Sequence, residues 1–410
     1  MQLRLLQRLV RRGSLHLHLP DGQVISAGQG EPAAHLIVKT PSALPRMLRD
    51  PEIAFGEGYM DGVWEAGEGG LIRIFEVIAC NYQHAAARNK WWWLKRIASW
   101  LGEIHPPHRS RRNVEAHYDL DEPLFRRFLD ADMHYSCAYF ERPDASLEEA
   151  QQAKCRHIAR KLLLKPEEDV LDIGSGWGGL ALHLARMHKV RVTGLTLSQD
   201  QFRSACRRAL DTGLADRVRF ELQDYRQHLG QHRGQYDAIV SVGMFEHVGR
   251  PQYQQFFDAI GGLLKPGGRV LLHTIGRSGP PTLGNSWIRK YIFPGSYIPA
   301  LSELMPAIEQ SHLVLADLEV WRLHYAETLR HWHQRFQSAR PEFAARLGER
   351  FCRMWEFYLL GCEAMFRWGE LVVFQLQLAR DNISVPVTRN YLYSRDADEA
   401  SRSFPRSASG

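Results

Sequence analysis

The feature that most constrains the fold of this chain is an alternation of apolar strands and helices between residues 165 and 275. Five strand-like runs, most of them separated by helical stretches, follow one another there: DVLDIG, VRVTGLTL, RVRFELQDY, YDAIVSVGM and GGRVLLHTIG. A chain that alternates in this way forms a parallel sheet with helices on both faces. Two later strand-like runs, HLVLADLEVW and ELVVFQLQLAR, lie beyond long helical stretches. We therefore predict an α/β domain whose helical insertions build a substrate pocket.

Changes in composition divide the chain into four parts. We predict an N-terminal unit of mixed strands and helices over residues 1–103, a linker over 104–116, the α/β domain over 117–393 and a disordered tail over 394–410. Paired prolines favour an irregular linker, and the tail is poor in apolar residues that could be buried. In the N-terminal unit, HLIVKT is predicted to be a strand. The glycine-rich stretch FGEGYMDGVWEAGEGG is predicted to be a loop that leads into the helix LIRIFEVIACNYQ.

Composition argues against several classes of protein. The sequence has no apolar run of the roughly 18 to 20 residues that cross a bilayer, and its arginine-rich N-terminus is unlike a secretory signal. The six cysteines form no C-x-x-C pair, so they indicate neither a disulfide framework nor a zinc site, and we expect no bound metal. These features are typical of a cytoplasmic protein.

The chain is basic, with a net charge of +6, which suits either nucleic acid or an anionic lipid surface. In the stretch NKWWWLKRIASWLG, residues 89–102, four tryptophans lie beside lysines and an arginine. Indoles and cations together favour a lipid–water interface, although the same indoles could instead form part of the core of the N-terminal unit. No known nucleic-acid-binding module is recognisable, so we expect no nucleic acid partner.

A glycine-rich loop, DIGSGWG at residues 172–178, links the first strand of the α/β domain to its helix. Glycines allow a ligand to approach the backbone, and the free N–H groups at a helix start favour a nucleotide-type cofactor. The spacing does not fit the G-x-G-x-x-G of dinucleotide-binding dehydrogenases, and the second strand ends without the acidic residue that would hold a ribose. S-adenosylmethionine fits better, with its adenine near Asp224 and Tyr225 at the end of the third strand.

Polar side chains also follow the fourth strand of the predicted sheet. The run Ala238–Val242 is apolar, and Glu246 and His247 come soon after it. Ligands bind at the carboxyl ends of the strands in open α/β sheets. A carboxylate at this place is therefore a candidate for chemistry, although a solvated polar loop is the simpler explanation.

Several stretches resemble the cyclopropane fatty acid synthases: HYDLDEPLFRRFLDADMHYSCAYF, VLDIGSGWGGLALHLA, GLTLSQDQ, VSVGMFEHVG, LLHTIG and WIRKYIFPGSYIP. They occur in this order between about His117 and Arg380, and GEGYMDGVWE is similar to the extra domain of the phospholipid-acting branch. The resemblance implies a class I methyltransferase with a seven-stranded Rossmann-like sheet, helical lipid-pocket insertions and a smaller N-terminal α+β domain. It also implies a homodimer that acts on unsaturated phospholipid, peripherally, at the inner face of the membrane.

The resemblance implies which residues bind S-adenosylmethionine and its product S-adenosylhomocysteine. The implied contacts are Tyr135, Ser136, Asp172, Gly174, Gly176, Trp177, Gly178, Thr196, Gln201, Asp224 and Tyr225. Thr196 and Gln201 would take the place of the missing acid at the ribose. Ser175 replaces the cysteine that is common in the family loop, and its similar size predicts little effect on binding.

The resemblance also implies bicarbonate as the base of the reaction. An isolated alkene can attack a sulfonium methyl group only where water is excluded and the atoms are aligned, and the proton leaves afterwards. Bicarbonate would be held by the backbones of Cys137 and Val242 and by the side chains of Glu246, His273 and Tyr325. Its own hydroxyl can donate to Glu246, which makes a carboxylate a suitable partner for this anion.

Simpler roles remain open for several of these residues. His273 could be a structural histidine at a strand end, Tyr325 a packing residue at a helix start, and Cys137 an ordinary buried thiol. We expect Cys137 to act through its backbone, and His247 to be structural.

The substrate pocket and the reaction are also open to more than one interpretation. The aromatic side chains of Phe245, Tyr291 and Phe293 could stabilise a cation through their faces or simply line an acyl tunnel. A methyltransferase that does not close the ring would use nearly the same residues. A non-catalytic lipid-binding protein is the third possibility, which the intact glycines and the presence of Glu246, His273 and Tyr325 disfavour.

Overall fold

The structure is a computed structural model, and it describes residue 7 and residues 10–86 and 122–393. Three sequence predictions concern residues outside these ranges. They are the tryptophan-rich stretch 89–102, the linker 104–116 and the tail 394–410.

The N-terminal part forms a four-stranded sheet of order β2-β1-β3-β4. Its elements are β1 (Gly13–His18), β2 (Val24–Gln29), β3 (Ala33–Val38), α1 (Ala43–Arg49), α2 (Ile53–Met60), β4 (Trp64–Ala66) and α3 (Gly70–Ala86). Strand β1 pairs antiparallel with β2 and parallel with β3, and β3 pairs antiparallel with β4. Buried and half-buried residues alternate along β3, as in a strand that packs one face on a core.

The prediction of a loop over FGEGYMDGVWEAGEGG is wrong, because α2 and β4 occupy most of it. The glycines in this helix are sites of close packing rather than of irregular backbone. A Cβ atom on Gly56 would lie 2.3 Å from the indole nitrogen of Trp287, and one on Gly58 would lie 2.8 Å from the ring of Trp64. Tertiary packing therefore overrides the low helix propensity of glycine.

The remaining residues form a seven-stranded sheet of order β10-β11-β9-β8-β5-β6-β7. Its first elements are α4 (Glu122–Phe128), α5 (Leu147–Lys161), β5 (Asp169–Ile173), α6 (Gly179–His188), β6 (Arg191–Thr196), α7 (Gln199–Asp211), β7 (Val218–Leu222), α8 (Tyr225–His228) and β8 (Tyr236–Val242). Two 3-10 turns, Phe245–His247 and Arg250–Gln252, then lead to α9 (Tyr253–Leu263), β9 (Leu264–Arg277), α10 (Ser286–Tyr291), α11 (Leu301–Gln310), β10 (Val314–Trp321), α12 (His324–Leu347), α13 (Glu349–Arg367), β11 (Leu371–Ala379) and α14 (Asn390–Tyr393).

The topology confirms the predicted α/β fold. Strands β5 to β9 are parallel, as the strand–helix alternation predicts. At one edge of the sheet, β11 pairs antiparallel with both β9 and β10. The predicted helical insertions are α10 and α11 before β10, and α12 and α13 before β11. None of the helices in the described ranges is long and apolar enough to cross a bilayer.

The N-terminal part and the helical insertions share one hydrophobic core. The ring of Phe357 in α13 contacts the rings of Phe55 and Phe75 at centroid distances of 5.8 and 4.8 Å. The hydroxyl of Tyr59 donates to Glu356 at 2.8 Å. The N-terminal part therefore supports the helices that cover the carboxyl ends of the parallel strands.

Candidate active site

A cavity lies at the carboxyl ends of β5, β6, β7 and β8, where parallel strands leave a crevice for a ligand. Ten of the eleven residues predicted to bind the cofactor line this cavity. They are Tyr135, Ser136, Asp172, Gly174, Gly176, Trp177, Thr196, Gln201, Asp224 and Tyr225. Val242, predicted to contact bicarbonate, also lines it.

The glycine loop adopts a backbone that favours glycine. Gly174, Gly176 and Gly178 have φ angles of +86°, +54° and +83°, which lie in the left-handed region. A Cβ atom on Gly174 would lie 2.6 Å from Cβ of Met244, so the loop needs this residue to stay small. Gly178 is not part of the cavity lining; it caps the start of α6, where a Cβ atom would lie 2.6 Å from the ring of Phe220.

Two hydrogen-bonded pairs occupy the part of the cavity predicted to hold ribose and adenine. Thr196 Oγ1 donates to Gln201 Oε1 at 2.9 Å. Asp224 caps α8 by accepting from the backbone N–H of Arg226, and the guanidinium of Arg226 donates to both of its oxygens at 2.8 and 2.6 Å. These contacts hold the polar groups in place before a ligand arrives.

The opposite end of the cavity contains buried charged groups. Lys154 Nζ donates to Ser136 Oγ at 2.9 Å, and the hydroxyls of Tyr135 and Tyr358 lie 2.8 Å apart. Asp172 at the end of β5 is 2% exposed, and burial raises its pKa to about 7. Its Oδ2 atom has no hydrogen-bond partner among the described residues. A buried polar atom without a partner is costly, so this oxygen is a candidate ligand-binding group.

Glu246 lies in the 3-10 turn that follows β8, and it is buried. Its Oε1 atom accepts from the backbone N–H of Ile275 at 2.6 Å, whereas Oε2 is buried without a partner in the described part of the chain. Burial raises the pKa of Glu246 to about 7, although the Ile275 hydrogen bond lowers it in part. The free oxygen can therefore either accept a proton from a ligand or carry one near neutral pH.

His273 lies within β9, four residues before its end, in register with Val242 on β8. Burial first, and the charge of Lys154 next, lower its pKa well below the usual value, so the imidazole is neutral. The amide nitrogen of Gln375 lies 3.0 Å from Nδ1. An amide N–H that donates to Nδ1 places the imidazole proton on Nε2, which can then donate to a ligand.

Tyr325 and Cys137 approach from the elements that cover the sheet. Tyr325 is at the start of α12, as predicted, and burial raises its pKa well above 10, so its phenol stays protonated. Tyr325 and Cys137 are buried in the same hydrophobic core. The Cys137 thiol is fully buried and donates to the carbonyl of Ala138 at 3.3 Å, and burial raises its pKa, so it is not a ready nucleophile.

Three predicted aromatic residues are separated in the structure. Phe245 packs against Tyr253 and Phe256 in a core on the α9 side of the sheet, so its proposed place beside the substrate is wrong. Tyr291 and Phe293 pack on the core that also contains Tyr325.

Several lining residues were not predicted, among them Lys154, Arg226, Met244 and His247. Lys154 stands in the stretch AQQAKCRH, which gives no sign that a lysine there is buried. His247 was assigned a structural role, and its position beside the glycine loop could have been inferred only from the shared edge of β5 and β8.

A family model described as mycolic acid cyclopropane synthetase matches residues 105–376, and a domain of unknown function, DUF7884, matches residues 4–90. Cyclopropane-fatty-acyl-phospholipid synthase of Escherichia coli (strain K12) is 39% identical over 352 residues, which cover 86% of this chain and 89% of that protein. Tuberculostearic acid methyltransferase UfaA1 of Mycobacterium tuberculosis (strain ATCC 25618 / H37Rv) is 38% identical over 397 residues, with 91% and 90% coverage.

Solved structures agree with these relatives. Mycolic acid cyclopropane synthase CmaA1, complexed with SAH and CTAB, is 34% identical and gives a TM-score of 0.62 over 68% of this chain and 99% of that chain. The family model covers more than half of the chain, and the cavity with its glycine loop lies within the matched range. The chain therefore belongs to the mycolic acid cyclopropane synthetase family of S-adenosylmethionine-dependent methyltransferases.

Proposed function

We propose that this enzyme transfers a methylene group from S-adenosylmethionine to the cis double bond of unsaturated phospholipid acyl chains and so forms a cyclopropane ring. The similarity to the phospholipid-acting synthase of Escherichia coli extends over 86% of the chain and supports phospholipid as the substrate class. The observation that carries the proposal is Glu246, a buried carboxyl group with one free oxygen, in the turn whose residues Met244 and His247 line the cofactor cavity.

The residues around Glu246 fit a small protonated anion such as bicarbonate. An anion in an apolar site needs hydrogen-bond donors, and an acceptor is tolerated only if the anion carries a proton. His273 and Tyr325 are neutral donors, and the free oxygen of Glu246 is the acceptor for the bicarbonate hydroxyl. We propose that the backbones of Cys137 and Val242 complete the site.

In this reaction S-adenosylmethionine supplies the methyl group, and bicarbonate supplies the base for the proton that the new methyl group loses. The residues of the chain orient these groups and exclude water. Glu246 orients bicarbonate by accepting a hydrogen bond from the bicarbonate hydroxyl, and the backbone N–H of Ile275 keeps the carboxyl group in place. The amide group of Gln375, 3.0 Å from Nδ1, orients the ring of His273. Exclusion of water matters because an alkene is a weak nucleophile, and water would otherwise compete with it for the methyl group.

The test is expression in a bacterium that lacks cyclopropane fatty acids, followed by mass spectrometry and proton NMR of its phospholipids. We expect acyl chains that gain one CH2 unit and lose the double bond, with the upfield signals of a ring. Glu246→Gln and His273→Gln are expected to remove most of this product while the affinity for S-adenosylhomocysteine stays within a few-fold of wild type. An equal loss of cofactor affinity in both variants would contradict the proposed roles.

A second candidate is methylation of the acyl chain without ring closure. The 38% identity to tuberculostearic acid methyltransferase UfaA1 over 91% of the chain favours this candidate to a similar degree. Mass alone does not separate the two products when a methylene branch is formed. The NMR spectrum does, because a branch shows alkene protons and a ring shows none.

We propose further that the enzyme is a homodimer that binds peripherally to the inner face of the cytoplasmic membrane. The basic, tryptophan-rich sequence of residues 89–102 supports binding to anionic lipid, and two sites per dimer would prolong residence on one membrane. Co-sedimentation with vesicles should increase with anionic lipid content and decrease with salt. Binding to neutral vesicles that does not depend on salt would contradict the electrostatic part.

A further inference from the structure

Three potential metal ligands lie together at one edge of the seven-stranded sheet, outside the lining of the cofactor cavity. Glu221 is on the edge strand β7, His228 is the last residue of α8, and His232 lies four residues further along the chain. Each offers one ligand atom, and these atoms all lie within 4.8 Å of one another. Among the described residues this is the one group of three or more histidine, cysteine or acidic side chains with such a spacing.

The separation of Glu221 and His228 is that of two ligands on one ion. Glu221 Oε2 lies 3.3 Å from His228 Nδ1. Zinc in proteins binds histidine nitrogen and carboxylate oxygen at about 2.0 to 2.2 Å in tetrahedral geometry, which places neighbouring ligand atoms about 3.3 to 3.6 Å apart. A metal ion binds the deprotonated nitrogen, so it takes the place of the proton between these two atoms. A zinc ion therefore fits between them at their present separation.

The other ring nitrogen of His228 is already held, as it is in metal-binding histidines. Nε2 lies 2.7 Å from the hydroxyl of Tyr236, which is buried at the start of β8. A hydrogen-bond partner on the second nitrogen fixes the orientation of an imidazole that binds a metal. His228 is fully buried, whereas Glu221 and His232 are half-buried, so the ligand set opens to solvent on one side. An ion can enter from that side.

Neighbouring polar groups leave one oxygen of Glu221 directed at the histidines. Arg219 Nε lies 3.3 Å from Oε1, the oxygen opposite the one near His228. Gln223 Oε1 lies 2.8 Å from His228 Nδ1 and offers a fourth ligand, a neutral oxygen. Two imidazoles and a single carboxylate suit zinc better than magnesium or calcium, which prefer a set of oxygen ligands.

His232 is the ligand that has to move. Its ring stacks on that of His228 with centroids 4.0 Å apart, and a metal ion binds a nitrogen lone pair in the plane of the ring. His232 lies in the turn between α8 and β8, and its Nδ1 atom contacts Gln235 Oε1 at 2.9 Å on the exposed surface. Rotation of the ring toward the ion therefore costs one exposed hydrogen bond and the stacking contact.

We propose that Glu221, His228 and His232 form a structural zinc site at this edge of the sheet, with Gln223 or water as the fourth ligand. The ion joins the edge strand to the turn after α8, and residues 223–226, which lie between its ligands in the chain, line the cofactor cavity. A helix of one turn has little stability of its own, so a cross-link on either side of α8 holds this part of the cavity wall. The sequence expectation of no bound metal rested on the cysteines, and this set contains none.

The test is zinc binding to the full chain without an affinity tag, measured by competition with a chromophoric chelator. We expect wild type to bind one zinc ion tightly, and excess Mg²⁺ should not displace it. His232→Ala should bind zinc at least about 100-fold more weakly, because loss of an outer hydrogen-bond partner alone typically costs roughly 10- to 100-fold. Wild type that binds no zinc, or a His232→Ala variant that binds it as tightly as wild type, would overturn the proposal.

The control variant is His312→Asn, which removes an exposed histidine just before β10, at the opposite edge of the sheet from β7. His312 has a φ angle of +60°, a conformation that asparagine tolerates better than most residues, so the substitution should not disturb the turn. The zinc affinity of this variant should stay within about twofold of wild type, since no ligand is lost. A loss that matches that of His232→Ala would overturn the assignment.

A measurement on the wild-type protein avoids any effect of a substitution on folding. Co²⁺ takes the place of zinc in sites of this kind, and its visible absorption reports the coordination geometry. We expect the intense visible bands of a tetrahedral ion, without the near-ultraviolet charge-transfer band of a cobalt–thiolate bond. A thiolate band would place the ion on cysteine, and the weak bands of a six-coordinate ion would mean that water supplies most of its ligands. Either result would overturn the proposal.

Discussion

The carboxyl group of Glu246 is expected to lower the stability of the folded enzyme above neutral pH, and Glu246→Gln should remove this effect. Burial raises the pKa of Glu246 from 4.5 to about 7 in the folded state. A carboxyl group whose pKa is raised by folding does not lower the free energy of unfolding below its unfolded pKa. The loss of stability grows as the pH rises toward the folded pKa. The shift corresponds to about 3 kcal/mol of lost stability above pH 7, at about 1.4 kcal/mol for each unit of pKa.

Glutamine keeps the acceptor for the Ile275 N–H but has no charge to bury. The stability of Glu246→Gln relative to wild type should therefore increase by about 2 to 3 kcal/mol between pH 5 and pH 8. Guanidinium unfolding of both proteins at several pH values measures this difference. The control is Asp144→Asn, in which the side chain is 82% exposed, so the difference from wild type should change little with pH.

Two outcomes would refute this reasoning. A difference between Glu246→Gln and wild type that stays constant from pH 5 to pH 8 would mean that the carboxyl group is solvated in the folded state. A decrease over the same range would mean that the folded state favours the ionised carboxylate, as it would if a fixed cation lay beside Oε2.

Three further predictions concern the cavity and the core. The affinity for S-adenosylhomocysteine should increase from pH 6 to pH 8, because burial raises the pKa of Asp172 to about 7 and a ligand ammonium favours the ionised carboxylate. Binding should therefore release protons, which calorimetry in two buffers measures. Asp172→Asn should remove the pH dependence. Gly174→Ala should weaken the same ligand at least about tenfold, since its Cβ would lie 2.6 Å from that of Met244 and its φ is +86°; unchanged affinity would show that the loop can shift freely. Gly56→Ala should destabilise the protein by about 1–3 kcal/mol in chemical unfolding, because its Cβ would overlap the Trp287 ring, and an unchanged midpoint would contradict the shared core.

Local patterns in the sequence were sufficient to predict the sheet and the cofactor loop. Period and length distinguish the strands and helices of residues 165–275, and parallel strands bring their carboxyl ends to one edge. For that reason Asp172 and Asp224 could be placed at one cavity before any contact was known, whereas Thr196 and Val242 were assigned through the resemblance. The roles of the residues around Glu246 were not determined in this way; they came from a resemblance and remain proposals.

The errors have a common physical cause. The helix over Ile53–Met60 contains two glycines, which are poor helix formers, and it exists because Gly56 fits against Trp287, more than two hundred residues away. Phe245 is the third residue after β8, yet its ring belongs to the core beneath α9. Neither contact can be recognised from neighbouring residues.

The sequence by itself determined the α/β fold, the order of its parallel strands along the chain and the edge at which a cofactor binds, because hydrophobic period and glycine spacing are local properties. Only the tertiary structure decided which charges are buried. Nothing in the sequence shows that Lys154, Asp172 and Glu246 are buried. Their burial is costly without a ligand, because distant segments exclude water from them. Desolvation depends on all the elements that pack around a side chain, so it is a property of the whole fold.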